Sequence, residues 1–439
     1  MRLIQLLMTF ALLALFTNAQ AVPIIEHWQT SKGARVYFVQ TKGLPMLDVS
    51  LLFDAGSVRD ANKLGLAALT SAMLNQGAAD LTAQQIAQQL EGVGAQLSLS
   101  TSRDFTSINF RSLTDQKILD QSWAVFKKVI SKPSFPIADF ERLQKQTLLS
   151  IKARGESPAT LAQLGFYQKI FAGHPYANPI QGNQKPVEQL KISDLTSFYN
   201  NSYVAKNLVV VLVGDLSLSQ AKARVNDLLA NVRQGEKAIA IPAVKLLKKG
   251  LTAHQEYPSA QTHLMYGSPM IAYNDPDYFA LYVGNHILGG SGFSSRVVKE
   301  IREERGLAYS AYSYFRPMVV NGPFIMGLQT RNEKSDEAAT ALKETLKTFV
   351  KDGPTEEEVI ASKKNIIGGF ALRLDSNKKL LGNIAQIAAS GAELDYLNTF
   401  SDKIKQVTGA DIKDAFQRRV VQNKMVMMTV GQKNTKVSD

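Results

Sequence analysis

Two side chains, Arg302 and Tyr309, are the first candidates for chemistry because one short structural unit would bring them together. Residues 294–305 mix apolar and charged side chains as an amphipathic helix does, and Arg302 falls in the last turn. Gly306 is the left-handed stop that commonly ends a helix, and Tyr309 then opens a predicted strand over residues 307–315. A helix end and a strand start joined by a tight turn can point both side chains into one cavity.

The residue types alone leave two interpretations of this pair open. Three glutamates flank the arginine, namely Glu300, Glu303 and Glu304. A solvated helix face with weak local ion pairs therefore explains Arg302 as well as a functional site does. Neither Arg302 nor Tyr309 is accompanied by a recognisable nucleophile motif or metal-binding motif nearby in the sequence.

Metal ligands and nucleophiles are scarce in the rest of the chain. There is no cysteine, and no two of the five histidines lie three to five residues apart, so no helix presents a histidine pair to a metal. We therefore expect no zinc site built by this chain alone. No Gly-x-Ser-x-Gly motif is present, and the Gly-rich loop at residues 289–292 lacks the Lys and Ser/Thr of a P-loop, which favours a tight turn.

The composition is that of a globular protein with more than one domain. The chain has 439 residues, of which 45% are apolar and 20% charged, and this is too long for one ordinary core. The formal net charge of +12 favours anionic partners, but the basic residues are spread out and their densest run, residues 245–249, is short. A solvated basic surface is therefore expected, and nucleic-acid binding is not.

The first residues are typical of a secretory signal peptide. A basic start precedes an apolar run over residues 3–16, and Ala19-Gln20-Ala21 provides a small-x-small cleavage site. We predict a signal peptide at residues 1–21 and export, most simply to the periplasm; the alternative is an uncleaved anchor. The absence of cysteine suits an oxidising compartment, and no later stretch is long and apolar enough to span a membrane.

The pattern of predicted elements repeats. The order strand, helix, helix, strand, strand, helix, helix, helix, strand occurs in each half of the chain, which predicts a tandem duplication of an α+β unit. We predict a first domain at residues 22–232, a basic linker at residues 233–250 and a second domain at residues 251–439. Each domain would be an antiparallel-rich sheet covered by helices.

Four segments resemble a known family. LGGSGFSSRVVKEIREERGLAYSAYS (residues 288–313) resembles the second-domain signature of pitrilysin/insulinase-type zinc peptidases, the inverzincins, and in particular their mitochondrial-processing-peptidase-like branch. GSVRDANKLGLAALTSAMLNQGA (residues 56–78) is similar to the first-domain zinc stretch of that family. GAQLSLSTSRDFTS (residues 94–107) and HPYANP (residues 174–179) look like its substrate strand and a common loop. The resemblance spans the mature chain and implies two homologous domains that form half of a clamshell.

The zinc positions of that family are replaced in this chain. The family carries an inverted motif, His-x-x-Glu-His, directly after Gly-Leu-Ala, with a third ligand, a Glu, on a later helix. In this sequence the two histidine positions hold Ala68 and Ala72, and the general-base position holds Ser71. The position of the third ligand falls at about Ser150. Alanine and serine offer zinc neither anionic nor imidazole ligands, so the resemblance implies no metal on this chain.

The family's second-domain pair, in contrast, is present. The resemblance implies that Arg302 and Tyr309 hold the substrate backbone and stabilise a tetrahedral intermediate at a zinc site in another domain. Some family members divide this work between two chains, and the pattern here is that of the non-zinc subunit. We therefore expect a non-zinc-binding subunit of an exported heterodimeric metalloendopeptidase, inactive alone, with a zinc-bearing paralogous partner and a peptide substrate.

Two alternatives to this hypothesis stay open. One is a catalytically inactive scaffold or binding protein, like the core subunits of a respiratory complex that share this fold, in which the pair is a relic. The other is a self-sufficient peptidase with a different metal site. Ser98-Leu99 replaces the Asn-Ala that is common in the family's substrate strand, and this weakens the case for peptide binding by the chain's own first domain.

Overall fold

The computed structural model describes residues 23–433, so the predicted signal peptide lies outside the described residues. The first half contains eight strands: β1 Glu26–Gln29, β2 Arg35–Gln40, β3 Met46–Phe53, β4 Gly77–Ala78, β5 Leu81–Thr82, β6 Gln96–Thr101, β7 Thr106–Leu113 and β8 Leu208–Gly214. Six of them form one sheet in the order β1-β2-β8-β3-β7-β6, in which only β2 and β8 are parallel neighbours. Strands β4 and β5 form a separate hairpin.

Eight α-helices accompany these strands in the first half. They are α1 Leu66–Met73, α2 Ala83–Glu91, α3 Gln116–Ser131, α4 Ile137–Arg154, α5 Pro158–Ile170, α6 Gln184–Glu188, α7 Ile192–Ser202 and α8 Leu218–Leu229. Helix α2 begins after Thr82, where the Thr82 and Gln85 side chains form a reciprocal capping box.

The second half builds a five-stranded sheet. Its strands are β9 Leu251–Glu256, β10 Gln261–Ile271, β11 Ala308–Phe315, β12 Gly322–Arg331 and β13 Val426–Gly431. Its helices are α9 Tyr278–Asn285, α10 Arg296–Val298, α11 Ser335–Asp352, α12 Glu356–Phe370, α13 Asn377–Ser390, α14 Tyr396–Gln406 and α15 Gly409–Arg419. The sheet order is β11-β12-β10-β13-β9, and β9 and β13 are its parallel pair.

The two sheets have the same topology. The order β2-β8-β3-β7-β6 in the first corresponds strand for strand to β9-β13-β10-β12-β11 in the second, and the parallel pair occupies the same place in both. The predicted α+β fold with two similar units is confirmed. Residues 233–250 contain no helix or strand, while the domain boundaries chosen from the sequence stay a prediction.

The two units exchange equivalent helices, which the sequence did not predict. Strand β8 is apolar throughout because it is buried on both faces. Val210 and Leu212 face helices of their own unit, whereas Val209 and Val211 belong to the same core as Ile384 on α13 of the second unit. Helix α13 thus covers the outer face of the first sheet and packs on β3 and β8.

The reciprocal contact is made by α5 of the first unit. It lies on β10 and β13 of the second sheet, where fully buried Phe166 shares a core with Met265 and Met428. A Cβ at Gly165 would lie 2.6 Å from Met428 Cε, the end of a flexible side chain, so glycine here allows close helix–sheet contact without displacing Met428. Each sheet is therefore completed by a helix from the other unit, and the cores of the two units are continuous.

The segment that carries Arg302 differs from the regular helix predicted over residues 294–305. Only Arg296–Val298 is α-helical, and Lys299–Glu304 continues as a π-helix. Ser295 stands at the N-cap, but its hydroxyl donates to Gly292 O and accepts no cap hydrogen bond. Gly306 has the predicted left-handed conformation, with φ of 59°. A π-helical turn widens the helix locally and is often found where a side chain must be placed for function.

Within residues 23–433, no helix combines the length and the apolar character needed to cross a lipid bilayer.

Candidate functional site

Helix α1 carries Ala68, Ser71 and Ala72, which replace the zinc ligands and the general base of the family and are called here the emptied zinc positions. The buried carboxylate of Asp60 fixes the start of this helix. Asp60 accepts the backbone N–H groups of Gly65 at 2.7 Å and Ala67 at 2.8 Å. Gly65 is left-handed, with φ of 95°, and a Cβ there would lie 2.8 Å from Gln181 O, so the helix begins tightly against the loop at residues 179–183. Burial raises the pKa of Asp60 to about 7, although the two backbone hydrogen bonds oppose the shift.

The exposed side of α1 faces a cavity of about 430 Å³. Ala68, Ser71 and Ala72 line it together, which is the convergence that the family resemblance implies. Ser150 on α4 lies at the edge, where its hydroxyl is 3.4 Å from Oε1 of the cavity-lining Gln181. The structure thus brings these four positions into one region.

The residues of this region do not fit zinc. Two methyl groups and a serine hydroxyl occupy the expected ligand and base positions, and Ser150 replaces the third ligand. Residues 23–433 contain no group of three or more His, Cys, Asp or Glu side chains arranged to hold a metal ion. No step of metal chemistry is therefore assigned to this cavity.

Three arginines line the same cavity, and the sequence did not single them out. Arg103 lies in the turn between β6 and β7, Arg154 ends α4, and Arg316 follows β11 of the second sheet. The three positions are remote in sequence, and the spacing of the residues gives no signal that they converge. The loop that carries Arg316 brings the second unit to the emptied zinc position of the first.

Arg302 and Tyr309 lie together as predicted, but on a different surface from the cavity that Ala68, Ser71 and Ala72 line. The Arg302 guanidinium carbon lies 4.8 Å from the centroid of the Tyr309 ring and 4.7 Å from that of Phe293. Tyr309 is 77% exposed and Phe293 69% exposed. Tyr309 is the extra residue of a β-bulge, since Ala308 pairs with Thr330 and Ser310 with Gln329. The bulge turns the tyrosine outward from the edge strand β11.

This pair has unused hydrogen-bonding capacity. Among the described residues, Arg302 makes no ion pair and the Tyr309 hydroxyl has no hydrogen-bond partner. Arg302 is held between two aromatic faces, which orients a guanidinium without consuming its N–H donors. The described residues that line the Ala68 cavity include neither Arg302 nor Tyr309. The pair therefore presents donors outward rather than to the chain's own emptied zinc position.

Two of the histidines have structural roles. His174 is buried, its Nε2 lies 2.9 Å from Pro242 O, and its Nδ1 accepts the backbone N–H of Tyr176, as expected of a loop-ordering residue. His286 joins two helices through Ser362 and Asn365. Burial lowers the pKa of both imidazoles.

Comparisons with known proteins agree with the architecture. The family model described as insulinase (peptidase family M16) matches residues 35–184, and the one described as the peptidase M16 inactive domain matches residues 189–366. A crystal structure of a peptidase M16 inactive domain from Pseudomonas fluorescens is 35% identical, covers 93% of this chain and 98% of its own, and has a TM-score of 0.90. The chain belongs to the insulinase family, peptidase family M16. The resemblance drawn from the four sequence segments is confirmed.

Other M16 relatives extend over most of the chain. The non-peptidase homologue YmxG of Helicobacter pylori is 28% identical over 427 residues, which are 96% of this chain and 97% of the relative. The uncharacterized zinc protease YmxG of Bacillus subtilis is 23% identical over 362 residues, 82% of this chain and 87% of the relative. A crystal structure of a Helicobacter pylori protease has the same fold, with a TM-score of 0.86 at 19% identity.

Proposed function

We propose that this M16 chain is the non-zinc-binding subunit of an exported, periplasmic, heterodimeric metalloendopeptidase. Arg302 and Tyr309 act at the zinc site of a paralogous partner chain, where they hold the peptide backbone and stabilise the developing oxyanion. The zinc and the general base belong to the partner.

The observation that carries the proposal is the contrast between the two sets of family positions. The zinc positions Ala68, Ser71 and Ala72 have lost all metal-binding chemistry, whereas Arg302 and Tyr309 are retained and lie together. Their donors face outward on an exposed strand edge, as required for action on a group held by another chain. A relic would have no reason to keep an arginine ordered between two exposed rings.

The test is reconstitution of the chain with its zinc-bearing partner and a peptide substrate. Loss of one oxyanion donor lowers kcat by about 10²-fold or more, so Tyr309→Phe should reduce turnover of the mixture to that extent. Tyr312→Phe is the matched control, because it removes a phenolic hydroxyl from the same strand. If Tyr309→Phe turns over substrate as fast as the unmodified complex, the role given to Tyr309 is wrong.

A catalytically inactive scaffold or binding protein is the second candidate. It is favoured by the match to the M16 inactive-domain model over residues 189–366 and by the name of the Helicobacter pylori relative, a non-peptidase homologue. The two functions differ in the composition of the complex. Isolation of the chain from the exported fraction with a zinc-bearing M16 chain supports the first, and a stable complex without one supports the second.

A further inference from the structure

The cavity at the emptied zinc position has the charge of an anion site. It is lined by the three arginines and by no aspartate or glutamate. The rest of the lining is uncharged, in part apolar and in part polar, and its polar side chains are Ser71, Ser100, Thr101, Thr160, Gln163 and Gln181. Among the described residues, none of the three arginines takes part in an ion pair. Three like charges that line one cavity repel one another and are stabilised by an anion; Asp104, outside the lining, is the acidic side chain whose charge acts on Arg103 and Arg316.

Arg103 is held rigidly at the back of the cavity. Its Nε donates to Tyr176 O at 2.9 Å, and its guanidinium carbon lies 3.9 Å from the centroid of the Tyr167 ring. Burial lowers its pKa and the charge of Arg316 lowers it further, whereas Tyr167 and Asp104 oppose the shift. The neighbouring Asp104 accepts hydrogen bonds from the Tyr176 hydroxyl and from Val319 N, and its charge acts on Arg103 and Arg316 without a direct ion pair among the described residues.

Arg154 and Arg316 approach from two other elements. Arg154 donates through Nη2 to Gly182 O at 2.7 Å, whereas its buried Nε has no hydrogen-bond partner. Burial lowers the pKa of Arg154. The Arg316 side chain is exposed and makes no hydrogen bond to another described residue.

We propose that this cavity binds an oxyanion, a carboxylate or phosphate group carried by a small ligand, held by Arg103, Arg154 and Arg316. Guanidinium groups match the planar oxygens of carboxylate and the oxygens of phosphate with paired, charge-assisted hydrogen bonds. The site takes an anion at the place where active relatives of the fold hold a cation.

The size of the cavity and the origin of its arginines define the ligand further. A volume of about 430 Å³ exceeds that of a single oxyanion and lies in the range of small-molecule sites. The oxyanion is therefore one group of a larger ligand, whose remaining atoms meet the hydroxyl and amide side chains of the lining. Because Arg316 belongs to the second unit and Arg103 to the first, the bound ligand links the two units.

This site is independent of the proposed function, since it involves neither Arg302 nor Tyr309. The test uses the full mature chain without a partner. Isothermal titration at fixed ionic strength compares three probes: inorganic phosphate, tri-alanine with a free carboxylate, and tri-alanine amide. Binding of phosphate alone assigns a phosphate-bearing ligand, and binding of tri-alanine but not of its amide assigns a carboxylate. No binding of either anion, or equal binding of tri-alanine and its amide without phosphate binding, overturns the proposal.

Substitution of individual arginines tests whether they hold the bound anion. Arg316→Gln and Arg154→Gln should each weaken binding of the active probe by about tenfold or more, the effect of losing a hydrogen bond to a charged group. Arg233→Gln is the control, because it removes the same charge from an exposed arginine that hydrogen-bonds Asn200 away from this cavity. Wild-type affinity in both Arg316→Gln and Arg154→Gln contradicts the proposal. Arg154→Lys keeps the charge and replaces Arg154→Gln if the latter does not fold.

Discussion

The exchanged helices predict that the two units of this M16 chain unfold together. Phe166 lies on α5 of the first unit but is fully buried against the second sheet. Replacing a buried phenylalanine with alanine removes about 3–5 kcal/mol of stability. The upper half of this range is expected, because the facing Gly267 has no side chain that could refill the space; a Cβ on it would lie 3.1 Å from Phe166 Cζ.

The assay for Phe166→Ala is guanidinium unfolding followed by circular dichroism and by tyrosine fluorescence. We expect one transition for both probes, moved to lower denaturant with an unchanged slope, because the core that contains Phe166 is built by residues of both units. Phe126→Ala is a matched control, since Phe126 is equally buried on α3 but within the core of the first unit. Two separate transitions, of which Phe166→Ala shifts only one, would refute the reasoning.

Three further predictions concern the elements around the two sites. Burial raises the pKa of Asp60 from 3.8 to about 7 in the folded chain. Between these two pH values the folded state binds a proton that the unfolded state has lost. The free energy of unfolding should therefore fall by up to ~4 kcal/mol as the pH rises from 4 to 7. Asp60→Asn should remove this slope in urea titrations, and an unaltered slope would contradict the assignment. EDTA should leave the melting temperature of the lone chain unchanged in calorimetry, because a metal stabilises only a state that binds it; a fall of several degrees would show a metal site. Gly289→Ala should cost about 1–3 kcal/mol in denaturant unfolding, since the new Cβ would lie 2.4 Å from Ser313 Oγ, and unchanged stability would show that β11 can move away.

Local signals in the sequence were sufficient for much of the fold. The continuous apolar run of β8 predicts burial on both faces, and the structure shows the reason, since each face meets a different unit. The left-handed Gly306 depends on neighbouring residues alone and is found where the sequence predicts it, and the capping box of Thr82 and Gln85 is equally local. Such features are readable because their energies come from contacts within a few residues.

The helix exchange could not be read in the same way. Two sheets of the same topology are available to bury the apolar side of α5. The sequence of α5 does not indicate which of these sheets the helix covers. The π-helical turn at Lys299–Glu304 is a further case, because the pattern of apolar and charged residues there is also that of a regular helix.

The candidate sites also differ in whether local sequence predicts them. The loss of zinc ligands at Ala68, Ser71 and Ala72 follows from comparison with the family motif, and the common cavity agrees with it. The pairing of Arg302 with Tyr309 follows from a turn of few residues. Arg103, Arg154 and Arg316 come from remote segments and are brought together by tertiary packing alone. No sequence pattern therefore predicts that they share a cavity.

We propose that this chain completes an active site whose zinc another chain holds. The most direct measurement is a titration of the zinc-bearing partner with this chain, in which peptide turnover and zinc content are followed together. We predict that neither chain alone turns over substrate appreciably, that activity saturates at equimolar mixing, and that the complex holds one zinc on the partner. Turnover by the partner alone that equals that of the mixture, or stoichiometric zinc on this chain alone, would contradict the account.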